Sequence, residues 1–161
     1  MNLQLRIIHG GPPLAASLIY RPDEYSFDTK PAPAVTHTSI LVNDLNLELD
    51  PSGKVVSIWG LCPHTGWQAK TLMPPVEAQP GSVLVLSNRD LCTGVSVRLN
   101  PAKRFTTYVD SASGWIQVQG ESAAADSVII IPGVILELDR QGGLSSLWLK
   151  PERLPPLDFS G

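Results

Sequence analysis

Val42 to Trp59 reads VNDLNLELDPSGKVVSIW, and Ile131 to Trp148 reads IPGVILELDRQGGLSSLW. The two stretches align without a gap, 89 residues apart. Leu47, Glu48, Leu49, Asp50, Gly53, Ser57 and Trp59 recur as Leu136, Glu137, Leu138, Asp139, Gly142, Ser146 and Trp148. Seven identities in eighteen positions are a strong repeat signal within one chain. Leu45, Leu47 and Leu49 alternate with Asn46, Glu48 and Asp50, the period of a half-buried strand. Val134, Leu136 and Leu138 hold the same face, while Ile135 replaces Asn46 on the other, so that face of the second copy is expected to be partly covered. Asp50-Pro51-Ser52-Gly53 carries the chemistry of a tight turn: an acceptor, a preset φ, and a glycine tolerant of positive φ. Asp139 and Gly142 keep the outer two positions. Each stretch is therefore read as strand, turn, strand. The return strands are expected to set Val55, Ser57 and Trp59 against Val56 and Ile58, and Leu144, Ser146 and Trp148 against Ser145, Leu147 and Leu149.

Glycines and prolines punctuate the rest of the chain, thirteen and fifteen among 161 residues, so long helices are not expected. Asn2 to His9, which begins with the alternation Leu3, Leu5, Ile7, reads as a strand, and Leu14 to Tyr20 reads as its hairpin partner across Gly10-Gly11-Pro12-Pro13. Arg21 to Pro33 reads as a polar surface excursion. Ser82 to Ser87, a turn at Asn88 to Asp90 and the alternating Leu91 to Leu99 read as a further hairpin. Phe105 to Tyr108, a turn at Asp110 to Gly114, and Trp115 to Gln119 form another, before the strand Ser127 to Ile131. The expected architecture is all-β or mainly β: two related antiparallel hairpin units packed as a pseudo-symmetric sandwich or partly open barrel. Residues 1–161 would form one domain of two related halves, about 1–65 and 101–156, joined by an extra hairpin segment, 66–100. Lys150 to Gly161 reads as a tail whose Leu154, Leu157 and Phe159 can pack on a neighbour.

The second half resembles a family of short bacterial and archaeal proteins known as a domain of unknown function. Tyr108 and Asp110 match its early turn. Gly133, Val134, Ile135, Leu136, Leu138, Asp139 and Gly142 match its core motif, of the type GVILDLDEDGRLVGIEIL, and Leu147 and Leu149 its return strand. The resemblance covers about residues 104–156, whereas the first half matches only over 40–59. Arg140 and Gln141 replace the family's acidic residues after Asp139. The resemblance implies a small antiparallel sheet unit, here in degenerate tandem duplication, so that one chain mimics a dimer. It brings no catalytic residue.

Charged residues make up 17% of the chain, below the roughly 25% of an ordinary soluble domain. With 43% apolar residues, that points to buried subunit contacts. A net charge of −3 disfavours a nucleic-acid backbone, and basic residues are thinly spread, Lys103-Arg104 being only a pair. No run of about 18 apolar residues suggests a membrane span, and the N-terminus does not read as a signal peptide. Two cysteines fit a reduced, cytoplasmic setting.

The strongest chemical candidate is Leu61-Cys62-Pro63-His64-Thr65-Gly66-Trp67. Cys62 and His64 could share a metal, with Cys92, His9 and His37 the remaining ligands of that type. They could also act as nucleophile and base. The plainer reading is a small buried thiol beside a half-exposed ring, with Cys92 in the core. Glu48 and Glu137 could be symmetric carboxylates, but charged residues on the wetter face of a strand, where they deter edge pairing, account for them as well. Trp59, Trp67, Trp115 and Trp148 could offer a stacking surface. Trp59 and Trp148 sit at equivalent points of the two units, which argues instead for packing. Tyr20, Tyr25 and Phe27 could cap a groove. No phosphate loop, serine elbow, zinc-protease pair or kinase signature is present. No cofactor is expected. The chain is read as a non-catalytic β-module acting through self-association or a protein partner. The alternative is a small-molecule-binding protein or hydrolase-like enzyme, with Cys62 or His64 meeting Glu48, Glu137 or His37 at the seam between halves.

Overall fold

A computed structural model describes residues 3–86, 91–99 and 104–159. In chain order the strands are β1 (Leu5–His9), β2 (Ser17–Arg21), β3 (Ser26–Lys30), β4 (Thr38–Val42), β5 (Leu45–Leu49), β6 (Val55–Leu61), β7 (Gln68–Ala69) and β8 (Gln79–Val85). They continue as β9 (Val97–Arg98), β10 (Thr106–Val109), β11 (Ile116–Gln119), β12 (Asp126–Ile131), β13 (Val134–Leu138) and β14 (Leu144–Leu149). Among the described residues helix is confined to two 3-10 turns, Pro22–Glu24 and His64–Gly66. The strands form a six-stranded sheet, β2-β3-β6-β5-β4-β9, and an eight-stranded sheet, β1-β8-β12-β13-β14-β11-β10-β7. One apolar core drawn from both sheets lies between them, as a sandwich requires. Leu45, Leu47 and Leu49 of one unit and Val134, Leu136 and Leu138 of the other all belong to it.

The two units pair in the same registers. Phe27 opposes Gly60, and Ile116 opposes Leu149. Asn46 opposes Trp59 and Ile135 opposes Trp148. Glu48 faces Ser57, and Glu137 faces Ser146. In both copies the next pair skips one residue, Leu49 meeting Val55 and Leu138 meeting Leu144. A bulge therefore sits at Val56 and at Ser145. It corrects the simple alternation expected of the return strands: Val55 and Ile58 face the core together, and Ser57 and Trp59 face out. Leu144 and Leu147 follow the same rule. The turns are also built alike. Asp50 Oδ1 accepts from the Ser52 and Lys54 N–H groups at 2.9 and 3.0 Å, and Asp139 Oδ1 from Gln141 and Gly143, both at 2.9 Å.

Several expected pairings are different. β1 does not pair with β2: it lies against β8 in the eight-stranded sheet, while β2 forms the edge of the other. The partner of β2 is β3, in the stretch read from sequence as a surface excursion. Phe27 and Thr29 turn inward from β3, and one aromatic in a polar run was too weak an apolar signal to reveal it. β8 and β9 form no hairpin either. β8 runs parallel to β12 and β9 parallel to β4, in different sheets. The strand read over Leu91 to Leu99 shrinks to Val97–Arg98, because Gly94 turns the chain at φ 75° and its N–H bonds the His37 carbonyl. The turn at Asn88 to Asp90, the strand end at Asn100 and Lys103 lie outside the described residues. In the tail, Leu154 and Leu157 pack on the main core while Phe159 is exposed. Among the described residues no helix is long and apolar enough to cross a membrane.

Candidate functional site

The registers give each unit the same ledge on its outward face. Trp59 sits diagonally from Glu48 on the adjacent strand, and its indole N–H donates to Glu48 Oε2 at 2.7 Å. The Trp148 indole donates to Glu137 in the same way. The repeated acids are thus acceptors for the repeated indoles. β5 and β13 are interior strands, so Glu48 and Glu137 guard no sheet edge. A hydrogen-bonded indole has its ring orientation set in advance, which suits a packing or stacking surface.

The two ledges differ in what covers them. The chain after β7 crosses the outer face of the second unit. Asp110 pins it there, its Oδ2 accepting from the Leu72 N–H at 3.1 Å while its Oδ1 accepts from Ala112 at 3.0 Å. Those N–H donors, Leu72's above all, hold the Asp110 carboxyl below the ordinary carboxylate range against slight desolvation. Leu72 and Ala78 then bury with Ile135 and Trp148 in a second, smaller apolar cluster, edged by Tyr108, Trp115 and Ile129. Trp115 meets Trp148 edge to face at 6.3 Å. Trp148 is left 5% exposed, whereas Trp59 is 43% exposed. Beside Trp59 an open groove of about 390 Å³ is lined by Arg21, Glu24, Ser26, Asp28, Trp59 and Leu61, among others. Arg21 pairs with Asp28 at 3.1 Å and lies 3.9 Å from Glu24. Carboxylates outnumber the guanidinium, so the rim is acidic.

Sequence reasoning placed both tryptophans in packing roles because they occupy equivalent positions. The signal that separates them lay one strand away. Asn46, opposite Trp59, bonds the Ser39 hydroxyl at 2.7 Å, while Ile135, opposite Trp148, is apolar and needs a cover.

Cys62 and His64 belong to a different cluster, at the start of the 3-10 turn after β6. The Tyr20 hydroxyl donates to the Cys62 carbonyl at 2.8 Å and accepts from the His64 N–H at 3.0 Å, with His64 Nδ1 3.2 Å from the same oxygen. Burial pushes the Tyr20 phenol up to about 12, against the lowering effect of the His64 N–H. Tyr25 stacks on His64 at 5.4 Å, and Trp67 stacks on Phe27 at 6.0 Å. The Trp67 indole N–H points at Cys62 Sγ, 3.4 Å away. Burial raises the Cys62 thiol above its ordinary value, outweighing the hydrogen bonds of Trp67 and Thr107, so it is a protonated thiol at neutral pH. The thiol's hydrogen bonds thus come from Trp67 and Thr107, and the imidazole's nitrogen faces Tyr20.

The other candidates are scattered. His37 bonds the Leu91 carbonyl at 3.3 Å and the Thr93 hydroxyl at 2.9 Å. His9 lies 2.9 Å from Asp126. Cys92 is an exposed free thiol, not the core residue expected. Among the described residues no three His, Cys, Asp or Glu side chains are grouped to hold a metal. Arg6, Arg21 and Arg98 stand on β1, β2 and β9, three separate sheet edges. Comparison with protein-family models gives no match, and neither does comparison with curated proteins.

Proposed function

We propose that this chain is a non-catalytic β-module that acts by protein association, with itself or with a partner, through the open face at Trp59. One observation carries the proposal. The same Trp–Glu ledge is built twice, roofed by Leu72 and Ala78 in one unit and left open in the other. A preoriented, half-exposed indole beside an exposed Leu61 is the kind of anchor protein interfaces are built on. The low charge fraction points the same way. The matched registers, with the resemblance to a single-unit family, support a duplication that put two such ledges in one chain. Two free thiols, one of them exposed, suit a reducing cytoplasmic setting. A hydrolase-like or small-molecule reading built on Cys62 and His64 has less behind it, because the thiol is neutral and engaged by Trp67.

The test is a photo-reactive side chain at Leu61, on the groove's rim, in the chain as produced in cells. The expected result is a protein adduct that disappears with Trp59→Ala and is not formed from the same group at Ala124, an exposed position elsewhere. Absence of any protein adduct at Leu61 would overturn the association reading.

A further inference from the structure

We infer that the Trp59 groove takes an arginine side chain from a basic segment of a partner protein, its guanidinium lying on the indole among carboxylates. This rests on the association reading above and names the chemistry of the partner. The two ledges differ in charge as well as in cover. Asp28 follows Phe27 on β3 as Gln117 follows Ile116 on β11, so it holds the place beside Trp59 that Gln117 holds beside Trp148. Gln117 is neutral, buried, and spent on the Ser146 hydroxyl at 3.0 Å. Asp28 is charged, partly exposed, and lines the groove with Glu24. Glu48 borders the same indole from β5. Three carboxylates thus face one guanidinium, that of Arg21, 3.1 Å from Asp28 and 3.9 Å from Glu24, and the groove keeps a negative excess.

The roofed unit meets its aromatic rings with cations of its own. The Lys150 ammonium lies 5.7 Å from the Trp115 ring centre, and that of Lys70 4.5 Å from the Tyr108 ring centre. Lys150 stands 89 residues after Leu61, at the matching place of the repeat, so the open ledge has a leucine where the roofed one has an ammonium. An open indole face with carboxylates around it favours a cation. Arginine suits it better than lysine, because a planar guanidinium stacks on the ring while its fork reaches carboxylates at the edge. The net charge of the whole chain, −3, has the sign of the groove. It draws in a basic partner and disfavours a second copy, which would bring the same excess.

The test is nuclear magnetic resonance of the full chain, read at the indole N–H of Trp59, which Trp59→Phe identifies. The probes are acetyl-Gly-Arg-Gly-amide and its citrulline counterpart, alike in shape but uncharged. The arginine peptide is expected to move the Trp59 signal saturably, and the citrulline peptide to bind about tenfold more weakly or worse. Glu24→Gln with Asp28→Asn should weaken arginine binding about tenfold, and Glu77→Gln, exposed on the other sheet, should leave it unchanged. Circular dichroism reports whether each variant is folded. No saturable shift, equal binding of the two peptides, or equal losses from the groove and Glu77 variants would overturn the proposal. If it fails in one of these ways while Leu61 still crosslinks a protein, the association reading stands. If Leu61 gives no protein adduct, both fall.

Discussion

Glu48 and Trp59 illustrate how far a residue can be understood before its surroundings are known. Their recurrence as Glu137 and Trp148 was plain in the sequence, and a strand register places each acid diagonal to its indole. The hydrogen bond between them depends on a bulge at the next pair, which no residue type announced. The two indoles should respond very differently to truncation. Trp148→Ala empties a roofed site and is expected to cost about 3–5 kcal/mol. Trp59→Ala removes a half-exposed ring and should cost about 1 kcal/mol or less. Urea denaturation of both variants measures the difference. Tyr20 supports a prediction in pH. Its folded value of about 12 lies above the ordinary phenol value of 10.0. The folded chain therefore holds that proton more tightly than the unfolded chain does. The stabilisation is complete below the unfolded value and is lost as pH rises from there through the folded value. In an ultraviolet titration one of the three tyrosines should ionise late, and Tyr20→Phe should remove that phase. The same variant should flatten the alkaline loss of stability.

At the scale of elements, the hairpins β5–β6 and β13–β14 were legible because local chemistry made them. Alternating leucines set the strands, and an aspartate and a glycine close each turn. Gly142 also has a tertiary reason: a Cβ there would lie 2.8 Å from the Leu5 carbonyl oxygen. Elements whose partners are remote were not legible. β3 pairs with β2 across a turn where Tyr25 takes φ 55°, and its only large apolar side chain is Phe27. β9 exists because Thr38 and Ser39 hold it, through the Val95 carbonyl at 2.6 Å and the Ser96 hydroxyl at 2.7 Å. The roof over Trp148 is held by burial against Ile135 and Trp148 and by a hydrogen bond from the Leu72 N–H to Asp110. Asp110→Ala should release the Leu72 N–H, speed exchange of that amide and make Trp148 fluorescence easier to quench with acrylamide, while the strands stay protected. Unchanged exchange at Leu72 would mean that burial of Leu72 and Ala78 holds the roof without the carboxylate.

The whole molecule is more interlocked than two hairpin units on a linker. β1, from the N-terminus, completes the sheet of the second unit through β8, and β9 completes the sheet of the first. The Leu14 N–H donates to the Ile130 carbonyl, Leu5 to Gly142, and Glu152 in the tail to Leu18. Lys54 bridges Leu84, which ties the first turn to β8. Neither half can therefore keep its sheet if the other is lost. Fluorescence, which samples Trp59 and Trp67 in one half and Trp115 and Trp148 in the other, should report one transition that coincides with far-ultraviolet circular dichroism. Two separated transitions would show that the halves are independent.

The sequence by itself determined the class of fold and its central units, since strand periodicity and turn chemistry are local and were written twice. It also held the sign that one outward face is covered, in Ile135 where the other copy has Asn46. Only the tertiary structure decided which strands complete which sheet, and which of two equal ledges is roofed. Those outcomes depend on contacts between residues far apart in the chain, where no spacing rule applies. The indole buried by Leu72 became core, and the indole without a cover stayed half-exposed on the outer face of its sheet.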